Sequence, residues 1–172
     1  MNEKENPMRE ILIDKVTVNI GVGSPGERLD NAKELLKRLT NRVPVETLAR
    51  RREPAFKIRP GMPIGVKVTL RGKDASDFIE KTLAAKKRTL NAKSFDKSGN
   101  ISFGIAEYID FPGAKYDPSI GMYGFDVCVT LKRRGKRVAE RKLRTAKIGK
   151  SHRITKEEAI EFFKSKFNAK IE

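Results

Sequence analysis

Cysteine and histidine are scarce in this sequence, which limits the metal and redox chemistry it can support. The chain has one cysteine, Cys128, and one histidine, His152, among 172 residues. A single cysteine cannot close a disulfide within the chain. One cysteine and one histidine are also too few ligands for a Cys/His zinc site. We therefore expect no metal and no cofactor.

Long apolar runs are missing as well. Apolar residues make up 38% of the chain, and no run approaches the roughly 18 residues that a membrane-spanning helix needs. Residues 1–7 lack the apolar stretch of a signal peptide. We expect a soluble, cytoplasmic protein without a membrane partner.

Acidic residues are few relative to basic ones. The chain has 22 Asp and Glu against 38 Lys and Arg, which gives a net charge of +16. Such a charge repels itself unless a polyanionic partner compensates it. An anionic membrane surface would favour basic residues gathered in one amphipathic helix or a terminal tail. Here they are spread along the chain, which favours nucleic acid as the partner.

The pattern of apolar residues predicts both strands and helices. Strands are predicted at residues 15–22, 44–49, 64–70, 101–105 and 125–131, with residues 11–13 as a candidate extension of the first. Helical spacing predicts amphipathic helices at residues 27–40 and 75–88, and a capping box at Thr155 begins the last helix. The later strands follow one another without crossover helices. The fold class is therefore α+β, a largely antiparallel sheet with helices on one face, in one domain over residues 1–172.

The first and third predicted strands define a candidate binding face. If their aliphatic side chains pack on the helices, the opposite face presents Lys15, Thr17, Asn19, Lys67, Thr69 and Arg71. Hydroxyl, amide and cationic groups together can bind phosphates, 2′-hydroxyls and base edges of RNA. The face lacks the aromatic pair that stacks single-stranded bases, so folded RNA is the better expectation. The alternative is a solvated face without function.

Residues 50–61 form a basic loop between two predicted strands. The loop has five basic residues, one acid and two prolines, so we expect it to be extended and mobile. Phe56 and Ile58 lie among its cations, which suits base stacking combined with phosphate contact. The alternative is a disordered basic loop that orders only on binding. A second basic region covers residues 132–172, with ten basic residues and one acid between positions 132 and 150.

The strongest indication of an enzyme is a glycine pattern at residues 21–26, which fits the dinucleotide-binding sequence G-x-G-x-x-G. Pro25 removes a backbone N–H from the turn that would cradle the phosphates. No further β-α-β units follow to build a doubly wound sheet. Ser24, Cys128 and His152 have no evident catalytic partners in the sequence. We expect no enzyme and no catalytic residue.

Several stretches in the same order resemble the family of the universal ribosomal large-subunit protein L five. They are residues 6–10, 16–23, 56–59, 63–72, 95–100 and 111–113. Residues 152–159 are similar to the archaeal and eukaryotic branch. The resemblance implies a non-enzymatic ribosomal protein that binds 5S rRNA and helps dock it into the central protuberance.

The resemblance also implies particular contacts. The family's 5S rRNA contact matches Asn19, Phe56, Arg59 and Thr69, and strand alternation adds Lys15, Thr17, Lys67 and Arg71. Arg42 lies near a position where the family often has Gly-Gln, and it is a candidate phosphate contact. The loop that approaches the elbow of the P-site tRNA would here be Arg50, Arg51, Arg52, Glu53, Pro54 and Ala55. Large-subunit rRNA, other central-protuberance proteins and small-subunit protein S thirteen are the remaining implied partners, the last expected near residues 112–123. A generic RNA chaperone or assembly factor is the alternative.

Overall fold

The structure is a computed structural model that describes residues 6–172. Its strands are β1 (Ile11–Gly21), β2 (Val45–Leu48), β3 (Pro63–Leu70), β4 (Thr89–Leu90), β5 (Ile101–Ile105), β6 (Phe125–Arg133) and β7 (Lys170–Ile171). Its helices are α1 (Glu27–Thr40), α2 (Lys73–Ala85), α3 (Arg137–Glu140) and α4 (Lys156–Phe167). The expectation that residues 1–7 lack a signal peptide concerns mainly residues 1–5, which lie outside the described residues.

Five strands form one sheet in the order β2-β3-β1-β6-β5, and every neighbouring pair is antiparallel. The long strand β1 lies at the centre and pairs with β3 on one side and β6 on the other. β4 and β7 form a separate parallel pair. The predicted α+β class with a largely antiparallel sheet is confirmed.

One face of the sheet is buried beneath the helices. Val16, Val18 and Ile20 of β1 are at most 2% exposed. They share one hydrophobic core with alternate residues of β3, β5 and β6 and with the apolar sides of α1 and α2. The period-two pattern therefore separates an apolar face from a polar one, because successive side chains of a strand point to opposite sides.

The helix boundaries follow local chemistry. α1 ends at Thr40 and is capped by Asn41, which adopts a left-handed backbone conformation and donates its N–H to the carbonyl of Lys37. The apolar spacing predicts that α2 continues to residue 88, but the helix ends at Ala85, since Lys87 and Arg88 both have positive φ angles. α4 begins at the predicted capping box, with reciprocal hydrogen bonds between Thr155 and Glu158.

None of the helices within residues 6–172 is both long and apolar enough to cross a lipid bilayer.

Candidate nucleic-acid interface

The uncovered face of the sheet brings together the polar residues of β1 and β3. Thr17 lies opposite Thr69, and Asn19 lies opposite Lys67. Lys67, Thr69 and Arg71 are exposed, whereas the β1 residues are half-buried between their neighbouring strands. Lys15, Thr17, Asn19, Lys67 and Thr69 lie on this face of their strands, and Arg71 follows directly after the end of β3. We call this surface the open face.

Two transverse rows of side chains cross the open face. Ser102, Cys128, Thr17 and Thr69 form one row, and Gly104, Asp126, Asn19, Lys67 and Val45 form the next. Lys15 and Lys67 have no ion-pair partner in the part of the chain that the structure describes. The face therefore offers hydrogen-bonding groups together with unneutralised cations, the combination that suits an RNA backbone.

The open face also holds groups that sequence reasoning did not assign to it. Asp126 lies opposite Asn19, so one carboxylate interrupts the cationic surface. Cys128 lies next to it on the same strand, and burial together with the charge of Asp126 raises the pKa of its thiol. A raised thiol pKa lowers the thiolate fraction at neutral pH, which does not favour nucleophilic chemistry at Cys128.

A buried carboxylate lies at one end of the open face. The β1 ladder is irregular between Ile13 and Lys15, and Asp14, at this bulge, is only 6% exposed. Its carboxylate accepts hydrogen bonds from Lys136 Nζ at 2.9 Å, Lys132 Nζ at 3.0 Å and Arg71 Nη1 at 3.3 Å. This carboxylate therefore holds three cations together. They come from β6, from the residues after β6 and from the end of β3.

The pKa of the Asp14 carboxyl reflects opposing effects. Burial raises this pKa, but the hydrogen bonds and charges of Lys136 and Lys132 outweigh burial and bring it below the ordinary value. Burial in turn lowers the pKa of Lys136, and the contacts with Asp14 and Glu140 raise it above its ordinary value. The cluster is therefore charged at neutral pH, and Arg71, predicted as an RNA contact, also has a structural partner.

Arg42 lies at the edge of this surface beside β2. Its guanidinium forms an ion pair with Asp74 in the first turn of α2. Arg42 also lines a cleft with Val45, Lys67 and Thr69. The structure thus brings Arg42 next to the open face, although part of its charge is already compensated.

The loop at residues 50–61 is folded rather than extended. Glu53 and Ile58 exchange two backbone hydrogen bonds of 3.0 Å, and a 3-10 turn at Pro54–Phe56 closes the tip. At the base, Ala49 N–H donates to the Met62 carbonyl at 2.8 Å. The predicted extended shape is therefore wrong, because the backbone groups pair across the loop. Its mobility stays a prediction.

The side chains of the folded loop point mostly into solvent. Phe56 is 74% exposed at the tip. Arg50, Arg51, Arg52 and Arg59 are exposed and have no ion-pair partner among residues 6–172. Phe56 and Arg59 therefore belong to the loop and not to the open face. The family resemblance instead implies one 5S rRNA contact that includes both of them and the residues of the open face.

The glycine pattern at residues 21–26 lacks the geometry of a dinucleotide site. The N–H groups of Val22 and Gly23 donate to the carbonyl of Ile64 at 3.0 and 2.7 Å. These donors are therefore engaged with β3. The adjoining sheet is antiparallel, whereas dinucleotide-binding folds place this pattern in a parallel sheet.

The connection between β5 and β6 is anchored on α1. Arg38 and Asp117 form an ion pair of 2.7 Å, and the Tyr123 hydroxyl donates to the Arg28 carbonyl at 3.0 Å. Hydrogen bonds from Ser119 and Arg38 lower the pKa of Asp117 to about 2. Tyr116 and Met122 remain about half exposed.

Comparison with known proteins identifies the family. A family model described as ribosomal protein L5 matches residues 6–59, and a second model, which describes the C-terminus of the same ribosomal protein family, matches residues 63–162. The large ribosomal subunit protein uL5 of Sulfurisphaera tokodaii is 55% identical over 167 residues, which cover 96% of this chain and 94% of that protein.

Two further relatives show the same extent of similarity. The protein of the same name from Methanococcus vannielii is 52% identical over 172 residues, covering 98% of this chain and 94% of that protein. The one from Sulfolobus acidocaldarius is 52% identical over 169 residues, covering 98% and 95%. The resemblance noted in the sequence is confirmed, and the chain belongs to the archaeal branch of the ribosomal protein L5 family.

Proposed function

We propose that this protein is a non-enzymatic constituent of the large ribosomal subunit, in the cytoplasm, and that it binds 5S rRNA on the open face. The observation that carries the proposal is the alignment of Thr17 with Thr69 and of Asn19 with Lys67, on a surface that none of the helices described within residues 6–172 covers. Hydroxyl and amide groups can read 2′-hydroxyls and base edges while the adjacent lysines neutralise phosphates.

The antiparallel sheet gives this contact its rigidity. The side chains of β1 and β3 are fixed by a buried layer of Val16, Val18, Val66 and Val68, each at most 4% exposed. A preorganised surface loses little conformational entropy on binding. It therefore suits a folded RNA helix or loop, which would help to dock 5S rRNA in the central protuberance.

The loop at residues 50–61 supplies a separate contact in this proposal. Its cations and the exposed Phe56 project from the β2–β3 edge of the sheet. The arginine charge of the loop suits the backbone of the P-site tRNA elbow, and the aromatic face of Phe56 suits stacking on an RNA base. Residues 50–55 would then contact tRNA, while Phe56 and Arg59 remain candidate 5S rRNA contacts.

Further partners fit other surfaces. The basic region at residues 132–172 would contact large-subunit rRNA through exposed cations such as Arg137 and Lys147. Tyr116 and Met122 on the β5–β6 connection offer exposed apolar surface for small-subunit protein S thirteen or for other central-protuberance proteins.

The proposal is tested by competition in filter binding. Labelled 5S rRNA is bound to the full-length protein and challenged with unlabelled 5S rRNA or bulk tRNA at several salt concentrations. We expect 5S rRNA to compete at much lower concentration, and the advantage to persist at physiological salt, where nonspecific phosphate contacts weaken. Equal competition by both RNAs would instead indicate a generic RNA chaperone.

A further inference from the structure

A cleft separate from the open face lies where the end of β6 meets the segment before α4. It has a volume of about 330 Å³ and is bounded by the turn at residues 97–98, the end of β6 and residues 148–154. This size is near the lower limit of known small-ligand pockets. The cleft is thus large enough for one small group rather than for a helix or strand of a partner.

The polar lining of the cleft is cationic. Its charged residues are Lys97, Lys132, Arg133, Lys136 and Arg153, and the described lining holds no carboxylate. Three of these cations form ion pairs with carboxylates that lie outside the lining, those of Asp14, Glu140 and Glu158. Lys97 and Arg153 have no ion-pair partner within residues 6–172, so the cleft keeps a surplus of positive charge.

Arg133, which lines the cleft, has an unsatisfied hydrogen-bond donor. This residue is only 7% exposed, and its Nη2 donates to Glu158 Oε1 at 2.6 Å. Its Nε–H is buried and has no acceptor among the described residues. A buried donor without a partner is costly, so such groups in folded proteins are nearly always paired with protein, water or a ligand. An anion in the cleft would supply the missing acceptor.

The remaining wall of the cleft is suited to a flat or apolar group. Leu131, Ile148 and Ile154 line it, together with the ring of His152. His152 Nε2 lies 2.9 Å from the carbonyl oxygen of Arg134. A carbonyl can only accept, so the proton is on Nε2, and this bond holds the imidazole ring in place. An imidazole beside aliphatic side chains is a surface on which an unstacked base can pack.

We propose that this cleft binds one unstacked nucleotide of an RNA chain. The phosphate lies against Lys97, Arg153 and the Nε–H of Arg133. The base packs on His152 and the aliphatic wall. The inference rests on the proposed RNA-binding function, but it uses a surface separate from the open face, so either can fail without the other.

Asp14 acts as a positioning residue for this cleft. Its carboxylate binds Lys132 and Lys136, both of which line the cleft. The same carboxylate binds Arg71 at the end of β3. The cleft and the open face therefore share one buried anchor while presenting different side chains to RNA.

The test follows the Arg133 Nε–H resonance by NMR in the full-length protein labelled with nitrogen-15. The probes are adenosine 5′-monophosphate, adenosine, inorganic phosphate and a single-stranded adenosine hexanucleotide. We expect the Arg133 signal and the amides of residues 148–154 to shift most with the hexanucleotide, and with the monophosphate more than with phosphate or adenosine alone. The double variant Lys97→Ser/Arg153→Ser should lower the apparent affinity for the hexanucleotide at this site about tenfold.

The control variant Lys164→Ser/Lys170→Ser removes the same charge from exposed positions that do not line the cleft. We expect it to leave the Arg133 response within about twofold of the wild type. An equal response to inorganic phosphate and to the monophosphate would overturn the nucleotide assignment, as would tighter binding of the free monophosphate than of the hexanucleotide. If the Arg133 signal did not shift with any probe while 5S rRNA still competed as expected in filter binding, nucleotide binding in the cleft would be refuted and the proposed function would stand.

Discussion

Arg71 donates a hydrogen bond to Asp14, a residue 57 positions earlier in the chain, across the β1–β3 pair. The contact ties a cation of the open face to a carboxylate that Lys132 and Lys136 also bind. One buried acid thus fixes the geometry of three basic residues. Removing its charge would leave them to repel one another.

We expect Asp14→Asn to destabilise the fold by about 1–3 kcal/mol, because the buried acceptor loses its charge while three partly exposed cations remain beside it. Urea unfolding at neutral pH measures this change. The matched control is Asp30→Asn on α1, whose pair with Lys33 is exposed and should contribute much less to stability. Equal losses from both variants would contradict the anchoring role of Asp14.

The ion pairs of Asp14 also predict that the free energy of unfolding depends on pH. The pKa of Asp14 is lower in the folded protein than its ordinary value. The stabilisation is therefore complete above the unfolded pKa of about 3.9 and is lost as the pH falls through the lower folded pKa. The difference in unfolding free energy between wild type and Asp14→Asn should narrow as the pH falls below about 4. A gap that stays constant down to low pH would show that charge is not its cause.

Asn19→Ala and Thr69→Ala should each weaken 5S rRNA binding about tenfold and leave binding of bulk tRNA nearly unchanged, because each removes a hydrogen-bonding group but no charge. Filter-binding competition provides both affinities. Ser165→Ala on α4 removes a hydroxyl from an exposed position outside the open face and serves as the control. Equal loss of specific and nonspecific binding would contradict recognition by the open face.

Arg51→Ala should have the opposite effect. It removes one exposed charge from the loop, so retention of tRNA on ribosomes should weaken and the log–log salt slope of nonspecific binding should fall by about one. Affinity for 5S rRNA should stay within about twofold of the wild type. Lys164→Ala removes one charge from α4 and controls for the general loss of charge. A 5S rRNA defect in Arg51→Ala would contradict the assignment of residues 50–55 to tRNA alone.

Gly65→Ala tests the close packing of the central strands. A Cβ atom at this position would lie 2.7 Å from the Ile20 carbonyl oxygen and 2.8 Å from Thr47 Oγ1. We expect a loss of about 1–3 kcal/mol, measured by urea unfolding, since the backbone oxygen cannot move aside without disturbing the ladder. The control is Gly104→Ala on β5, where a Cβ would meet only a side-chain oxygen of Asp126 at 3.2 Å. Equal stability of the two variants would contradict this packing constraint.

Regular periodicity made much of the fold and of the open face predictable. The alternation of Val16 and Val18 with Thr17 and Asn19 is local, so it assigns faces before any partner strand is known. β4 and β7 are two residues each and leave no such pattern. The partners of Asp14 lie at least 57 residues away in sequence, so their meeting depends on the pairing of strands.

Other features depended on local backbone chemistry that composition hides. Two prolines and several cations indicated an extended loop, but Lys57 adopts a positive φ angle and lets the chain turn back on itself. The burial of Arg133 follows the inward alternation of β6, which strand pattern could have indicated. The ion pair between Arg133 and Glu158 could not be predicted, because the capping box at Thr155 already accounts for a glutamate at position 158.

β2 and β3 are the two arms of a hairpin whose tip is the basic loop, and β3 also carries Lys67 and Thr69. Backbone pairing closes the loop at Glu53 and Ile58 and again at Ala49 and Met62, where the sheet begins. Under the proposed function, one hairpin would therefore carry a tRNA contact at its tip and a 5S rRNA contact on β3. The tRNA and the 5S rRNA would then be connected through the backbone of a single strand.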